Sequence, residues 1–243
     1  MSGHSKWANI KRKKGANDAI RAKVTTKIGR EITVAVRMGG ADPVGNMRLK
    51  LALSKAKANN IPKDNINRAI QKGLGASDGS NYEELNYEGY GPGGSAVMLD
   101  IMTDNRNRTA ADIRHLFSKY GGNLGETGCV GWMFKKKALF IVDKEVYDDE
   151  ESLMMIALEA GAEDIKATDD AFEITAAPED FDAIAKALEE NGIETAESEI
   201  TMIPDNTVKL EGKDAEKMQT LIDALDEHDD VQNVYSNYEI EEE

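Results

Sequence analysis

The run Lys6-Trp7-Ala8-Asn9-Ile10-Lys11-Arg12-Lys13-Lys14 sets one indole among five cations. Lysine and arginine bind phosphate by releasing its counterions, and an indole offers a flat face on which an unpaired base stacks. The chemistry this pattern predicts is contact with nucleic acid, not bond-making. The same residues also describe a solvated tail that Trp7 pins to the body of the protein. A second cationic set follows at helical spacing. Lys23, Lys27, Arg30 and Arg37 share one arc at 100° per residue, and only Asp18 and Glu31 are acidic in that segment, so the stripe is suited to tracking a phosphate backbone. Arg106 and Arg108, in Asp104-Asn105-Arg106-Asn107-Arg108-Thr109, form a second candidate contact. They lie where a strand is expected to end and a helix to begin, a place where backbone amides and guanidiniums hold anions.

Residue types for covalent or metal chemistry are scattered. His4, His115 and His228 are far apart, and none lies at a metal-ligand spacing from Cys129, the single cysteine. Tyr87-Glu88-Gly89-Tyr90-Gly91-Pro92-Gly93-Gly94 has the glycines of a phosphate loop. It precedes an expected strand, however, and lacks a following Gly-Lys-Ser/Thr, so it reads as a tight turn. No nucleophile–base pair stands out, and the expectation is a non-enzyme without metal or cofactor.

The charge is divided by position. Residues 1–80 hold 17 Lys and Arg against 5 Asp and Glu, whereas residues 81–243 hold 13 against 40, and the net charge of −15 conceals this division. Such asymmetry suggests a nucleic-acid-facing end and a solvated or differently engaged end. One cysteine excludes an intramolecular disulfide, and no apolar run approaches the ~20 residues of a membrane helix. With no signal-like leader in Met1–Lys14, a cytoplasmic protein without membrane contact is expected.

The elements that must position these residues follow from periodicity and punctuation. Helices are expected over about 16–38, 46–59 and from Pro62 onward, broken by Gly39-Gly40, Asp42-Pro43, Ile61-Pro62 and Gly73–Gly75. They suggest a small bundle with a cationic exterior. Beyond it a strand is expected at 95–101, a helix at 110–120 opened by Thr109, and a strand at 129–134. Residues 139–203 then read β-α-β-β-α-β, the ferredoxin-like order. A short strand near Val208, a helix at 214–227 and a strand at 231–235 cannot bury a sheet alone, and so should complete the unit begun at Ser95. The expected fold is α+β multidomain: a basic helical domain at 1–80, a discontinuous α+β domain at 81–137 plus 204–243, and an acidic ferredoxin-like domain, 138–203, inserted within it.

Several stretches, taken in register, resemble the YebC/PmpR family. They are Gly3-His4-Ser5-Lys6-Trp7, Arg30-Glu31-Ile32, Gly39–Pro43, Asn60-Ile61-Pro62-Lys63, Arg68–Gly73, Tyr87–Gly94, Asp104–Thr109, Gly121–Gly125 and Met202-Ile203-Pro204. The similarity runs essentially from end to end, with Thr25 standing where relatives usually carry phenylalanine. The resemblance implies three domains, one helical and two α+β. It also implies a role in gene expression, since members are commonly labelled DNA-binding transcriptional regulators. Others, among them mitochondrial relatives, activate translation with the ribosome, and bacterial ones are linked to relief of stalls at proline-rich stretches.

Two functions are therefore expected in order. The first is a ribosome-associated translation factor whose basic domain and tail grip ribosomal RNA. The second is a duplex-DNA-binding transcriptional regulator. The first is favoured because no second helix displays an obvious base-reading face, and because the acidic remainder would repel a long uniform duplex. An adaptor whose basic end meets an acidic protein surface is a third reading.

Overall fold

The computed structural model describes residues 3–13, 18–75 and 81–240. Helices α1 (Gly3–Lys13), α2 (Asp18–Gly39), α3 (Met47–Ala58) and α4 (Lys63–Leu74) open the chain. The last three form a bundle around Ile28, Ile32, Val36, Leu49, Ala52, Ala56 and Ala69. Small residues let these helices close together: a Cβ at Gly73 would lie 2.7 Å from the Thr33 carbonyl oxygen of α2. Asn46 makes the turn between α2 and α3. Its side-chain oxygen accepts from the Leu49 amide while its Nδ2 donates to the carbonyls of Ala35 and Gly40.

Then follow β1 (Glu83–Tyr90), β2 (Ala96–Thr103), α5 (Arg106–Lys119), β3 (Asn123–Leu124), β4 (Phe134–Asp143), α6 (Glu150–Glu159), β5 (Asp164–Ala167) and β6 (Ala171–Ala176). The chain continues through α7 (Phe181–Glu190), β7 (Glu197–Pro204), β8 (Val208–Leu210), α8 (Gly212–Glu227), β9 (Val231–Ser236) and β10 (Tyr238–Ile240). One sheet has the order β3-β1-β2-β9, and β8 and β10 pair in parallel beside it. Helices α5 and α8 cover this sheet through Ile113, Phe117, Met218, Leu221 and Leu225. The late strand β9 thus joins a sheet begun about 150 residues earlier, with Val97 opposite Ser236.

The second large sheet has the order β5-β6-β4-β7 with every neighbouring pair antiparallel, and α6 and α7 lie on one face. This is the ferredoxin-like arrangement expected from the element order. Its ends lie side by side, since the ladder of β4 with β7 begins with Phe134 opposite Pro204. Adjacent ends suit a unit inserted at one point of another, and they support reading 138–203 as such an insert, with its ladder extended to 134–204.

The centre of β4 is apolar without alternation because both faces are covered. Phe140 and Val142 meet α6 and α7, and the Phe140 ring stacks on Phe181 at 5.0 Å. Leu139 and Ile141 point the other way, towards Trp7 of α1. No helix among the described residues is long and apolar enough to cross a membrane.

Four local expectations are corrected. Residues 6–13 are helical rather than a tail. The stretch before Ser95 is not only a turn: Glu83–Tyr90 is a full strand whose polar outward residues hid it, and the turn begins after Tyr90. Helix α5 begins at Arg106, capped by the Asn105 side chain on the Arg108 amide, so Thr109 lies inside the helix and not at its start. No strand occupies 129–133. The Glu88 carboxylate takes the Val130 and Gly131 amides at 2.8 and 2.7 Å, which removes them from any ladder, and the strand starts at Phe134.

A fragment of residues 134–204 should melt cooperatively, because its sheet and both covering helices are internal to it. It should also gain several degrees in Tm when a peptide of residues 3–13 is added, since Leu139 and Ile141 lose their cover in the fragment. A non-cooperative melt, or a Tm indifferent to the peptide, would contradict the packing described here.

Candidate nucleic-acid interface

Helix α1 carries the predicted cationic cluster, and the structure lays it across both α+β units instead of on the helical bundle. Trp7 is 3% exposed against Leu139, Ile141 and Ala171, with Ile10 and Ile203 beside it. In this arrangement the indole is packed against protein and presents no face to a base. Around it the cations meet carboxylates of the acidic units. Lys6 pairs with Glu199, Lys11 with Asp170 at 2.5 Å, Arg12 with Asp223 at 2.5 Å, and Lys13 with Asp226. Asn9 is buried between, its Nδ2 donating to the Tyr238 hydroxyl and its Oδ1 accepting from Gln219. Lys14 lies outside the described residues.

The stripe on α2 faces the same way. Lys23 donates to the Glu227 carbonyl at 2.9 Å, and Lys27 to the carbonyl of Asp226, whose carboxylate also lies 4.0 Å away. The acidic C-terminal end of α8 thereby receives lysines from α1 and α2, a favourable match to the negative end of the helix dipole. Burial opposes ionisation of Asp226, but Lys13 and Lys27 outweigh it and hold its carboxyl below the usual range. Burial also pushes the Lys6 ammonium down to about 8, with Glu197 acting against the shift. Arg37 lies exposed in the last turn of α2.

Arg30 ends on the most committed acid of the molecule. Asp230 is 4% exposed and accepts from Arg30 at 3.1 Å, from Arg108 at 3.0 Å and from the Thr109 hydroxyl at 2.8 Å. Arg30 also donates to the Asp229 carbonyl and rests on the Tyr82 ring at 5.0 Å. Arg108 has a second partner in Asp104 at 2.9 Å. Of the two arginines expected to form a second contact, Arg108 is thus bound inward, while Arg106 is exposed at the first position of α5. Burial opposes ionisation of Asp230, and Arg108, Thr109 and Arg30 together reverse this and hold its carboxyl low.

Besides Arg37 and Arg106, several outward-facing cations of the helical domain are ones that the charge pattern did not single out. Among the described residues, Arg21, Lys57, Lys63, Arg68 and Lys72 make no ion pair. Three of them belong to α4, where Arg68 and Lys72 are four residues apart and so share a face. Arg68 and Lys72 border a groove of about 280 Å³ between α2 and α4, lined also by Ile32, Ile66, Ala69 and Tyr82. The spacing of Arg68 and Lys72 on one helix face was the available signal, overshadowed by the denser cluster at 11–14. Among the described residues no group of three or more His, Cys, Asp or Glu side chains is placed to hold a metal ion.

Comparison with known proteins places this architecture. Residues 5–76 match the TACO1/YebC protein N-terminal domain and residues 82–238 match the TACO1/YebC second and third domain. The chain belongs to the TACO1/YebC family. A relative from Pelotomaculum thermopropionicum, named a probable transcriptional regulatory protein, is 61% identical over 243 residues and the match covers 100% of both chains. Another of that name, from Desulforamulus reducens, is 59% identical and is matched over 99% of this chain and 100% of its own. The crystal structure of a conserved hypothetical protein from Aquifex aeolicus superposes with a TM-score of 0.83 at 44% identity, covering 93% of each chain. The TACO1/YebC domain division at residues 76–82 falls where the basic bundle gives way to β1.

Asp230→Ala should cost about 3 kcal/mol in urea unfolding, because it leaves the largely buried Arg30 guanidinium without its carboxylate. Asp104→Ala, on the exposed side of Arg108, should cost under about 1 kcal/mol. The depressed carboxyl of Asp230 contributes stability in full above the ordinary aspartate pKa of about 3.9 and loses it as pH falls through the lower folded value. The advantage of wild type over Asp230→Asn should therefore shrink progressively below about pH 4, as read from urea midpoints between pH 7 and pH 2.

In a Trp132→Phe background, which removes the 71% exposed second tryptophan, Trp7 should emit at short wavelength. Reversing Lys11, Arg12 and Lys13 to Glu sets them against Asp170, Asp223 and Asp226, and should shift that emission to the red without unfolding the sheets.

Proposed function

We propose that this protein is a nucleic-acid-binding regulator of gene expression which works at the ribosome, gripping ribosomal RNA through its helical domain and assisting elongation through stalls. The observation that carries this reading is the distribution of unpaired cations. Lys57, Lys63, Arg68 and Lys72 lie unpaired on α3 and α4, whereas Asp170, Asp223, Asp226 and Asp230 of the α+β units are paired with cations of α1 and α2. A surface of this kind binds phosphate by counterion release, while the acidic units are directed away from the strand and suit contact with basic proteins. A local RNA element can approach such a face; a long straight duplex would also pass the acidic units.

The tail takes part in a different way from the one its composition suggests. Its lysines and arginines hold α1 on the acidic units, so phosphate must compete with Asp170, Asp223 and Asp226 to recruit them. The second reading, a transcriptional regulator on duplex DNA, is favoured by the names of the relatives.

Sedimentation of the tagged protein through a gradient of DNase-treated lysate separates the two. Salt-sensitive co-migration with ribosomal particles is expected, abolished by RNase and reduced at least tenfold by reversing Lys63, Arg68 and Lys72 to Glu. Protein that stays at the top of the gradient while binding one DNA duplex selectively would replace the translation reading with the transcriptional one.

A further inference from the structure

The groove between α2 and α4 lies apart from the cluster at 6–14 and takes only Arg30 from the cationic stripe of α2, and its lining is unusual for this chain. Among the described residues no carboxylate borders it, although the sequence has 45 acids against 30 Lys and Arg. Its walls combine three kinds of chemistry. Ile32, Ile66 and Ala69 provide an apolar floor, Arg68 and Lys72 provide positive charge at one side, and Tyr82 provides an aromatic ring at the rim. The orientation of Tyr82 is set by Arg30, which lines the same groove, rests on the ring at 5.0 Å and is itself held by Asp230. Thr26 and Asn65 add hydroxyl and amide groups suited to the edge of a heterocycle.

We propose that this groove is a binding site for one unpaired nucleotide of an RNA strand, its base on Tyr82 and the apolar floor and its phosphate on Arg68 and Lys72. The proposal rests on the nucleic-acid reading above and specifies where the strand is read. At about 280 Å³ the space is just below the roughly 300–1,000 Å³ of ligand pockets, which suits one flat ring system. Paired bases cannot enter it, so the site selects loops, bulges and ends over a continuous duplex. Stacking on Tyr82 is tolerant of base identity, and the two cations sense backbone charge only, so the expected preference is for single-strandedness and not for sequence.

The test uses the full chain and a labelled ten-nucleotide oligouridine RNA, with affinity measured across a salt series. Arg68→Ala with Lys72→Ala should weaken binding at least tenfold at low salt and lower the slope of log affinity against log salt by about 1.4, or 0.7 per phosphate contact on a single strand. Tyr82→Leu should weaken binding by about fivefold or more with the slope unchanged, and Tyr82→Phe, which keeps the ring, should bind as wild type. An oligonucleotide bearing 5-iodouridine should photocrosslink to Tyr82. Oligouridine that binds wild type and all these variants equally, with crosslinks mapping elsewhere, overturns the groove and leaves nucleic-acid binding intact. A wild-type protein that binds neither this RNA nor duplex DNA overturns both.

Discussion

The buried carboxylate of Asp230 is the point on which the arrangement of the molecule depends. An isolated charge at 4% exposure would be strongly disfavoured, so the site requires partners, and they come from two other segments of the chain: Arg30 on α2 and Arg108 on α5. Thr103 and Thr109 complete the shell. One acid thereby fixes the helical bundle against the first α+β unit and sets the phase of α2. That phase turns Lys23 and Lys27 towards the end of α8, while α4 packs on α2.

Charge neutralisation within the chain extends from this point. Sequence segments of opposite sign are folded onto each other, Lys11 on Asp170, Arg12 on Asp223 and Lys13 on Asp226. Each such pair, partly exposed, adds little to stability by itself. The apolar contact of Trp7 with Leu139 and Ile141 supplies the larger part of the docking energy, and the ion pairs set orientation. Helix α1 consequently acts as a strap across two units that also meet directly through a patch of Met98, Phe134, Tyr235 and Met202. A ligand that recruits the cations of α1 must disturb this strap, which couples binding to the relative freedom of the two α+β units.

Much of the architecture was legible before any coordinates. The helices of the bundle were readable from apolar spacing on Ile28, Ile32 and Val36, and the ferredoxin-like unit from six elements in order. Strand β1 was not, because Glu83, Glu84, Asn86 and Glu88 give it the composition of a loop; only pairing with the apolar β2 makes it a strand. The break at 129–133 was equally hidden, since it depends on Glu88 reaching amides 42 residues further on. The unbroken run Ala138–Val142 did hold a clue to the docking of Trp7, since a strand apolar on both faces needs a second cover besides α6 and α7.

The sequence by itself determined the local periods, the division of charge between 1–80 and 81–243, and the family to which the chain belongs, because these reside in residue type and spacing along a few turns. The tertiary structure alone decided which cations are available. Lys11 is 159 residues from Asp170, and Arg30 is 200 from Asp230, so no local rule could pair them. The composition marks where positive charge is dense. The packing of α2 on Asp230 and of α1 on β4 decides where in the helical domain it remains unneutralised, and the outer face of α4 is one such place.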